Sequence, residues 1–495
     1  MRFLFRMGLF AMAILPLGAP GMTLGSRGTG QVLLYPYYTV NRQQQTIFTV
    51  TNTTSNGKVL YVWIREGENG RALLGFSVFL APHDFWSGTL FSLEDAGISG
   101  SGAGIVITDS SCTEPSFATL STKLADGRPY QPLLDFTFTG ANADTGPTDD
   151  SRTREGTIEI FEMGELSGQT LTAITPTWGT APTCDALPSP VPSSDLTAPG
   201  GGLVGSSATV YAAQGTFFSV DAYAIDGFFN QVAFFPLGSL SPNLSDANVN
   251  SSGFVTADIP VNGSFVALNY LPEQAIDAVS ALFMADTIYG DWDISAPGGA
   301  NTDWVMTFPT KRFYVDPLIN MTGVALPPFE TLFGDPSAAR SDAHIDYTTY
   351  GRDGVAASYG PIGFTPTPTQ VYAGPLPYST QVATFTPVTS TAVTSSNVLG
   401  SNIVVPFPAT NSWNSGVVAG SAVVGLNAAT QSHQLRPTAD GIIVQGLPVI
   451  GFSAVNYIDA NITPGVLSNY NGTYPLRSSL SCSDFSTGVL PAACN

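Results

Sequence analysis

The chain has 495 residues and a formal net charge of −20, and charged side chains make up only 11% of it, against roughly 25% in an average soluble protein. The excess of 37 acidic over 17 basic residues argues against nucleic acid and anionic lipid as partners, because both would be repelled. Lysine and histidine are scarce, at three residues each, so little of the usual acid–base and nucleophilic chemistry is on offer, although the length allows two or three domains with buried cores.

Arg2 and Arg6 precede an apolar run, Met7–Leu17, and the small residues Gly18, Ala19 and Gly21 follow it. This order predicts an export signal over residues 1–25, cleaved between Ala19 and Ser26. Pro16 and the shortness of the run argue against a membrane helix, which needs about 20 apolar residues. Loss of Arg2 and Arg6 takes the charge from −20 to −22. No cysteine stands near the cleavage region to carry a lipid, and no later run is apolar enough to span a bilayer as a helix. The expected destination is extracellular or the cell surface, with the periplasm as the alternative.

Strand signals dominate from Gln31 onward. Gln31–Val40, Gln45–Asn52, Lys58–Arg65, Leu74–Ala81 and Phe85–Ser92 are rich in β-branched and aromatic residues and separated by polar turns. Phe76, Val78 and Leu80 alternate onto one face, which needs a second sheet to cover it. After a looser stretch, Gly156–Met163 returns to strand with Ile158 and Ile160 inward, followed by strands at Ala208–Gln214 and Thr216–Ile225. Pro272–Phe283 is the best helix, with Ile276, Val279 and Phe283 on one face. Asp303–Phe308 is a strand carrying Trp304, Met306 and Phe308 on one side. Strands resume at Asn402–Val405, Gly416–Leu426 and Gly441–Ala454.

The fold class predicted is all-β, a β-sandwich (Ig-like) architecture with long Pro/Ser/Thr/Gly-rich loops and one short helix. Its expected divisions are a signal (1–25), a β-sandwich (26–240) and a β-rich second lobe (241–325) holding the helix at 272–284. A Pro/Thr-rich, mostly extended segment (326–392) and C-terminal strands (393–495) complete the chain. Four cysteines allow three pairings; locality favours Cys112–Cys184 and Cys482–Cys494. Zinc is the alternative, without Cys-x-x-Cys spacing to support it.

Several clusters carry chemical possibilities. Asp342, His344 and Asp346 would share one face of a strand and could hold a metal. Asn142, Asp144, Asp149 and Asp150 gather oxygens in one loop, as calcium needs, and Asp291 and Asp293 form a smaller acidic pair. The competing reading for each is a solvated polar turn. Glu155, Glu159 and Glu162 suggest a glycosidase carboxylate pair, against a water-facing strand surface with Arg152 and Arg154 as partners. No Gly-x-Ser-x-Gly turn is present, and His83, His344 and His433 sit in polar turn contexts. Lys311 and Arg312 are adjacent cations that would pair with Asp303 or Asp316, or anchor an acidic neighbour.

Gly30–Val40, Thr51–Thr54, Arg152–Gly164, Ile276–Met284, Thr302–Asp316, Ser396–Ser401 and Gly446–Phe452 together resemble a group of uncharacterised exported proteobacterial proteins. The run Thr302–Asp316 (TDWVMTFPTKRFYVD) is the most specific of them. The resemblance implies export and β-rich structure; it supplies no activity, cofactor or site residue.

The function expected is that of a secreted, non-enzymatic structural or adhesive protein of the cell surface. It would act through β-sheet contacts and self-association or contact with other surface components, with no cofactor except calcium as an open option. The alternative is an exported carbohydrate-binding protein or glycoside hydrolase using Trp63, Trp86, Trp292 and Trp413.

Overall fold

A computed structural model describes residues 21–25, 28–261, 263–295, 299–334, 341–356, 372–387, 393–409, 417–427, 432–463 and 466–484. Most of the expected signal, Trp413, Cys494 and part of the Pro/Thr-rich segment lie outside the described residues. Through Asp226 the strands are β1 (Thr23–Leu24), β2 (Val32–Thr39), β3 (Gln45–Asn52), β4 (Gly57–Glu66), β5 (Ala72–Leu80), β6 (Phe85–Ser92) and β7 (Ala103–Ile107). They continue with β8 (Cys112–Glu114), β9 (Tyr130–Pro132), β10 (Glu155–Leu166), β11 (Leu196–Thr197), β12 (Leu203–Tyr211), β13 (Thr216–Asp221) and β14 (Tyr223–Asp226). An eight-stranded sheet runs β1-β14-β2-β10-β4-β5-β8, with β11 on β10, and a six-stranded sheet runs β13-β12-β3-β6-β7-β9. Leu60, Val62, Phe76, Ile158 and Ile160 of the first meet Phe48, Trp86 and Ile105 of the second in one core, as the alternation at Phe76, Val78 and Leu80 predicts.

The larger sheet differs from an ordinary sandwich layer. Every residue of β2 and β4 is buried, so their outer faces do not meet water. Val32, Leu34, Val59, Tyr61, Phe161 and Met163 point away from the first core into a second one. This is why these strands read as unbroken apolar runs, the pattern of a sheet covered on both sides.

The cover comes from the rest of the chain. The hairpin β15 (Val255–Val261) and β16 (Ser264–Tyr270) and the helix α2 (Ala275–Ala281) contribute Ile259, Leu268 and Val279 to the second core. The expected helix at 272–284 is thus a turn of 3₁₀ helix, Pro272–Gln274, followed by seven α-helical residues that are all buried. Two further short helices, α1 (Gly168–Ile174) and α3 (Arg312–Val315), lack an apolar periodicity that sequence could show.

A second sandwich follows, from β18 (Thr287–Asp293), β19 (Ala300–Thr307), β20 (Ala343–Gly351), β21 (Tyr372–Leu376), β22 (Thr380–Thr386), β23 (Val404–Pro408) and β24 (Ala419–Gly425). The hairpin β27 (Ile450–Thr463) and β28 (Val466–Pro475) and the short β29 (Arg477–Ser479) complete it. One sheet is ordered β21-β20-β24-β18-β29, the other β23-β22-β19-β27-β28. Two-residue β17 (Met284–Ala285) pairs with β26 (Leu447–Pro448), and β25 (Ile442–Val444) with β30 (Cys482–Asp484). Trp292 stacks on Phe385 at 5.8 Å and Tyr347 on Phe407 at 4.5 Å between the sheets. The segment 326–392, expected to be mostly loop, therefore supplies three strands. The alternation of buried Ala343, Ile345, Tyr347 and Thr349 in β20 is masked in sequence by its Pro-, Ser- and Thr-rich flanks.

Cys112 and Cys184 form a disulfide with Cα atoms 5.3 Å apart, the locally paired arrangement, which fits an oxidising compartment. Cys482 is buried and also disulfide-bonded. Among the described residues no helix is long and apolar enough to cross a membrane.

Residues 21–25 are part of the fold. Met22 is buried, its N–H donates to the Thr256 carbonyl at 2.8 Å, and Thr23 pairs with Asp226. A chain that begins at Arg27 is expected to lose about 2–4 kcal/mol, the usual loss when a buried methionine is removed, read as a lower denaturant midpoint.

Candidate functional site

Two places concentrate polar chemistry. The first is a buried network where the double-sided sheet meets the 308–333 segment. Arg65 Nε donates to Glu159 Oε2 at 2.7 Å, and Arg312 Nη1 and Nη2 donate to the same carboxylate at 2.7 and 3.2 Å. Beside it, Arg152 reaches Glu66 at 2.9 Å and grips Asp144 with two bonds of 2.6 and 2.8 Å. Arg71 grips Asp316 with two bonds of 2.9 Å. Four arginines thus face four carboxylates with almost no water, in the forked geometry that makes such pairs strong. Burial pushes the Glu159 carboxyl up, but Arg312 and Arg65 more than offset it and hold it below the usual carboxylate range. Asp144 is likewise held low, with Arg152 and Arg71 outweighing its burial.

Glu68 is the extra acid here. Burial, opposed by Arg152 but reinforced by Glu66 and Asp144, pushes it up to about 8. A carboxyl raised on folding costs stability as pH rises from its unfolded value, near 4.3, through its folded one. Glu68→Gln is therefore expected to leave stability unchanged near pH 4 and to raise it on the order of 4–5 kcal/mol at pH 8. Denaturant titrations at the two pH values measure this.

These contacts correct several expectations. Glu155, Glu159 and Glu162 are not on a water-facing surface: all three are buried, because the sheet is covered on both sides. Glu155 accepts from Tyr37 Oη, Ser401 Oγ and the Asn402 N–H, and Glu162 pairs with buried Lys58 at 2.7 Å. Lys311 and Arg312 anchor nothing outside the chain. Lys311 Nζ donates to the carbonyls of Ser341, Leu376 and Tyr378 at 2.6, 3.2 and 3.1 Å, and Arg312 pairs with Glu159. Asp303 instead accepts the N–H groups of Val398 and Leu399, both at 2.8 Å.

Asp144 belongs to Arg152, Asp149 caps the turn at Ser151, and the Asn142 carbonyl accepts from Arg71, so this loop is arranged around cationic side chains and not around calcium. His344 and Asp346 do share one face of β20. Yet no three His, Cys, Asp or Glu side chains converge on a metal position among the described residues. His433 is buried with each ring nitrogen against a backbone carbonyl, Pro328 at 2.8 Å and His344 at 2.9 Å, so neither nitrogen is free to act as a base. Trp63, Trp86 and Trp292 are core residues and form no exposed platform.

The second place is open. A groove of about 890 Å³ lies between the two sheets of the second sandwich, walled by β18 and β24 on one side and by the β27–β28 hairpin on the other. Gly290 and Gly420 form part of the wall and admit close neighbours: a Cβ on Gly290 would come within 2.6 Å of the Trp304 ring, and one on Gly420 would run into the Tyr350 carbonyl. Tyr289, Tyr457 and Tyr474 are 41, 39 and 59% exposed along it. Asp291, Asp293, Arg352 and Arg477 supply the charge, with Arg352 Nη2 3.3 Å from Asp293 Oδ2. Burial raises the Tyr457 hydroxyl, reinforced by Asp293 and Tyr474 and opposed by Arg352, which places these four groups in one neighbourhood. Ser453, 3% exposed, lines the groove, and its hydroxyl has no hydrogen-bond partner in the protein.

Of these residues the sequence singles out only Asp291 and Asp293, and it reads them as weak calcium ligands. The signal that could have found the tyrosines is a hairpin through Tyr457, Tyr470 and Tyr474, where cross-strand partners share a face, but the last strand read from the sequence ends at Ala454. Comparison with known proteins finds no matching family model, no matching curated protein and no matching solved structure.

Proposed function

We propose that this is an exported, non-enzymatic adhesive protein of the cell surface that holds its partner by non-covalent contact in the tyrosine-walled groove. One contrast carries the reading. Glu159, Asp144 and the arginines facing them are locked into interior ion pairs, while the large open groove offers aromatic faces and hydrogen-bonding groups. The expected export signal and the Cys112–Cys184 disulfide support passage out of the cytoplasm.

Recognition by the groove is favoured over strand-to-strand assembly. Of the edge strands, β1, β8, β9 and β29 are two or three residues long and β21 and β23 five, and short edges are a common defence against edge pairing. The longer edges β13 and β28 meet each other: the Phe217 and Ser219 carbonyls of β13, and the Gln214 carbonyl just before it, accept from the side chains of Asn471, Thr473 and Asn469 on β28.

The test is adhesion of the purified, labelled mature protein to the surface and matrix of the cells that make it. Saturable binding that weakens at least tenfold in the double variant Tyr457→Ala/Tyr474→Ala is expected. Absence of saturable binding by the folded protein would overturn the reading, as would binding indifferent to both tyrosines.

A further inference from the structure

Resting on the adhesive reading, we infer that the groove takes a neutral saccharide chain, with Tyr457 and Tyr474 stacking on sugar faces and Asp291, Asp293, Arg352 and Arg477 reading the hydroxyls. A pyranose ring has an apolar C–H face and a rim of hydroxyls, so its site needs flat aromatic surface beside donors and acceptors. The groove has both. Tyrosine gives rigid apolar area with a polar tip, and Tyr457 and Tyr474 both stand on the β27–β28 hairpin, where Tyr474 lies directly opposite Ser453. Carboxylates accept from sugar hydroxyls and guanidinium groups donate to them in a fixed fork.

Charge selects among saccharides. Two aspartates and two arginines line the groove, so its charge balances locally within a chain of net charge −20. An anionic polymer would meet the field of the whole molecule with no local cationic surplus to hold it. Lipid fits poorly, because charged and hydroxyl groups are interspersed with the apolar side chains Val423, Val455 and Leu476 along the groove and would be stripped of water without a partner. The partnerless Ser453 hydroxyl is a second, independent sign. A buried polar group without a hydrogen-bond partner is costly, and a hydroxylated ligand at the base of the groove would satisfy it. At about 890 Å³ the groove is at the upper end of small-molecule sites and open along its length, which suits a chain better than a single ring.

The experiment probes the purified mature protein against an array of neutral and acidic oligosaccharides, followed by titration calorimetry with the best neutral chain. Tyr474→Ala and Arg352→Ala are compared with Trp178→Ala, a fully exposed aromatic far from the groove in the chain. The expected result is binding of one or more neutral chains, weakened about tenfold or more in Tyr474→Ala and Arg352→Ala and unchanged in Trp178→Ala. Two results overturn the saccharide: no binding to the array while tyrosine-dependent adhesion to cells persists, or binding confined to acidic chains. The first of these leaves the adhesive reading standing, whereas loss of adhesion itself removes that reading too. Ser453→Ala separates ligand contact from folding, since it should weaken binding while leaving the denaturant midpoint no lower than that of the native protein, because the hydroxyl it removes has no hydrogen-bond partner in the protein.

Discussion

Replacing Glu159 with alanine is expected to destabilise the protein by about 3–5 kcal/mol, because it strands two buried guanidinium groups, Arg65 and Arg312, without a counter-charge. The loss would be far larger than that of any surface ion pair, such as Arg128–Asp126, where both side chains are about half exposed. It should also couple the two halves of the chain. Glu159 sits on β10 of the first sandwich and Arg312 on α3, which precedes β20 of the second, so the variant should loosen their contact and expose the 308–316 segment to proteolysis. A triple replacement of Arg65, Glu159 and Arg312 by apolar residues of similar volume separates two causes. Recovery of most of the stability would assign the damage to stranded charge; a deficit as deep as that of Glu159→Ala would mean that the ion pair itself supplies the net attraction. Chemical denaturation of the three proteins at one pH measures the difference.

Arg152→Met should cost a similar amount, about 3–5 kcal/mol at neutral pH, and carry a distinct pH signature. Arg152 is fully buried, satisfies Glu66 and Asp144 together, and lies over the Phe138 ring at 4.6 Å. In the native protein Asp144 is held below its ordinary range, so its contribution is present above the unfolded value near 3.9 and is lost as pH falls through the lower folded one. Without the guanidinium, the burial that Arg152 outweighs pushes the Asp144 carboxyl up. The sign then reverses, and stability drains away as pH rises from about 4. The gap between the native protein and the variant should therefore be narrow near pH 4 and wide at pH 7. A gap that is constant across this range would show that Arg152 acts through packing alone.

Both predictions lie in segments that the sequence marks as specific. Thr302–Asp316 gives the central strand β19, the caged Lys311, Arg312 on Glu159, Tyr314 Oη on Asp277 at 2.7 Å and Asp316 on Arg71. Arg152–Gly164 supplies Arg152, Glu155, Glu159 and Glu162, and Ser396–Ser401 supplies the Ser401 hydroxyl on Glu155 and the N–H groups on Asp303. The distinctive residues of these segments make the interior polar joint between the two sandwiches. A motif dense in charge looks catalytic or surface-binding in a linear reading. Here its charges cancel one another inside the protein.

The longer strands of the first sandwich, β2 to β6, β10, β12 and β13, were legible because β-branched and aromatic runs between polar turns are local signals, whereas β7 (Ala103–Ile107) and the two- and three-residue β1, β8, β9 and β11 were not. Ile158 and Ile160 point inward as the alternation requires. What alternation could not reveal is what covers the opposite face. Lys58, Arg65 and Glu159 occupy positions on their strands that look the same whether the neighbour is water or a second lobe, and only the arrival of 308–316 distinguishes the two. The groove was hidden for a related reason, since its walls come from residues 289–293, 351–354, 419–423, 453–457 and 474–477, brought together by two sheets.

The amino-acid order alone determined the all-β class, the positions of most of the longer first-sandwich strands and the scarcity of reactive side chains, and it favoured Cys112–Cys184 among three pairings. Each depends on composition, on period-two patterning or on closeness along the chain. Tertiary structure alone decided that the acidic strand residues are interior, that the tryptophans are core, and that tyrosines with two Asp and two Arg share a groove. Those facts depend on which distant segments meet, and burial and charge pairing are properties of the meeting, not of any one segment.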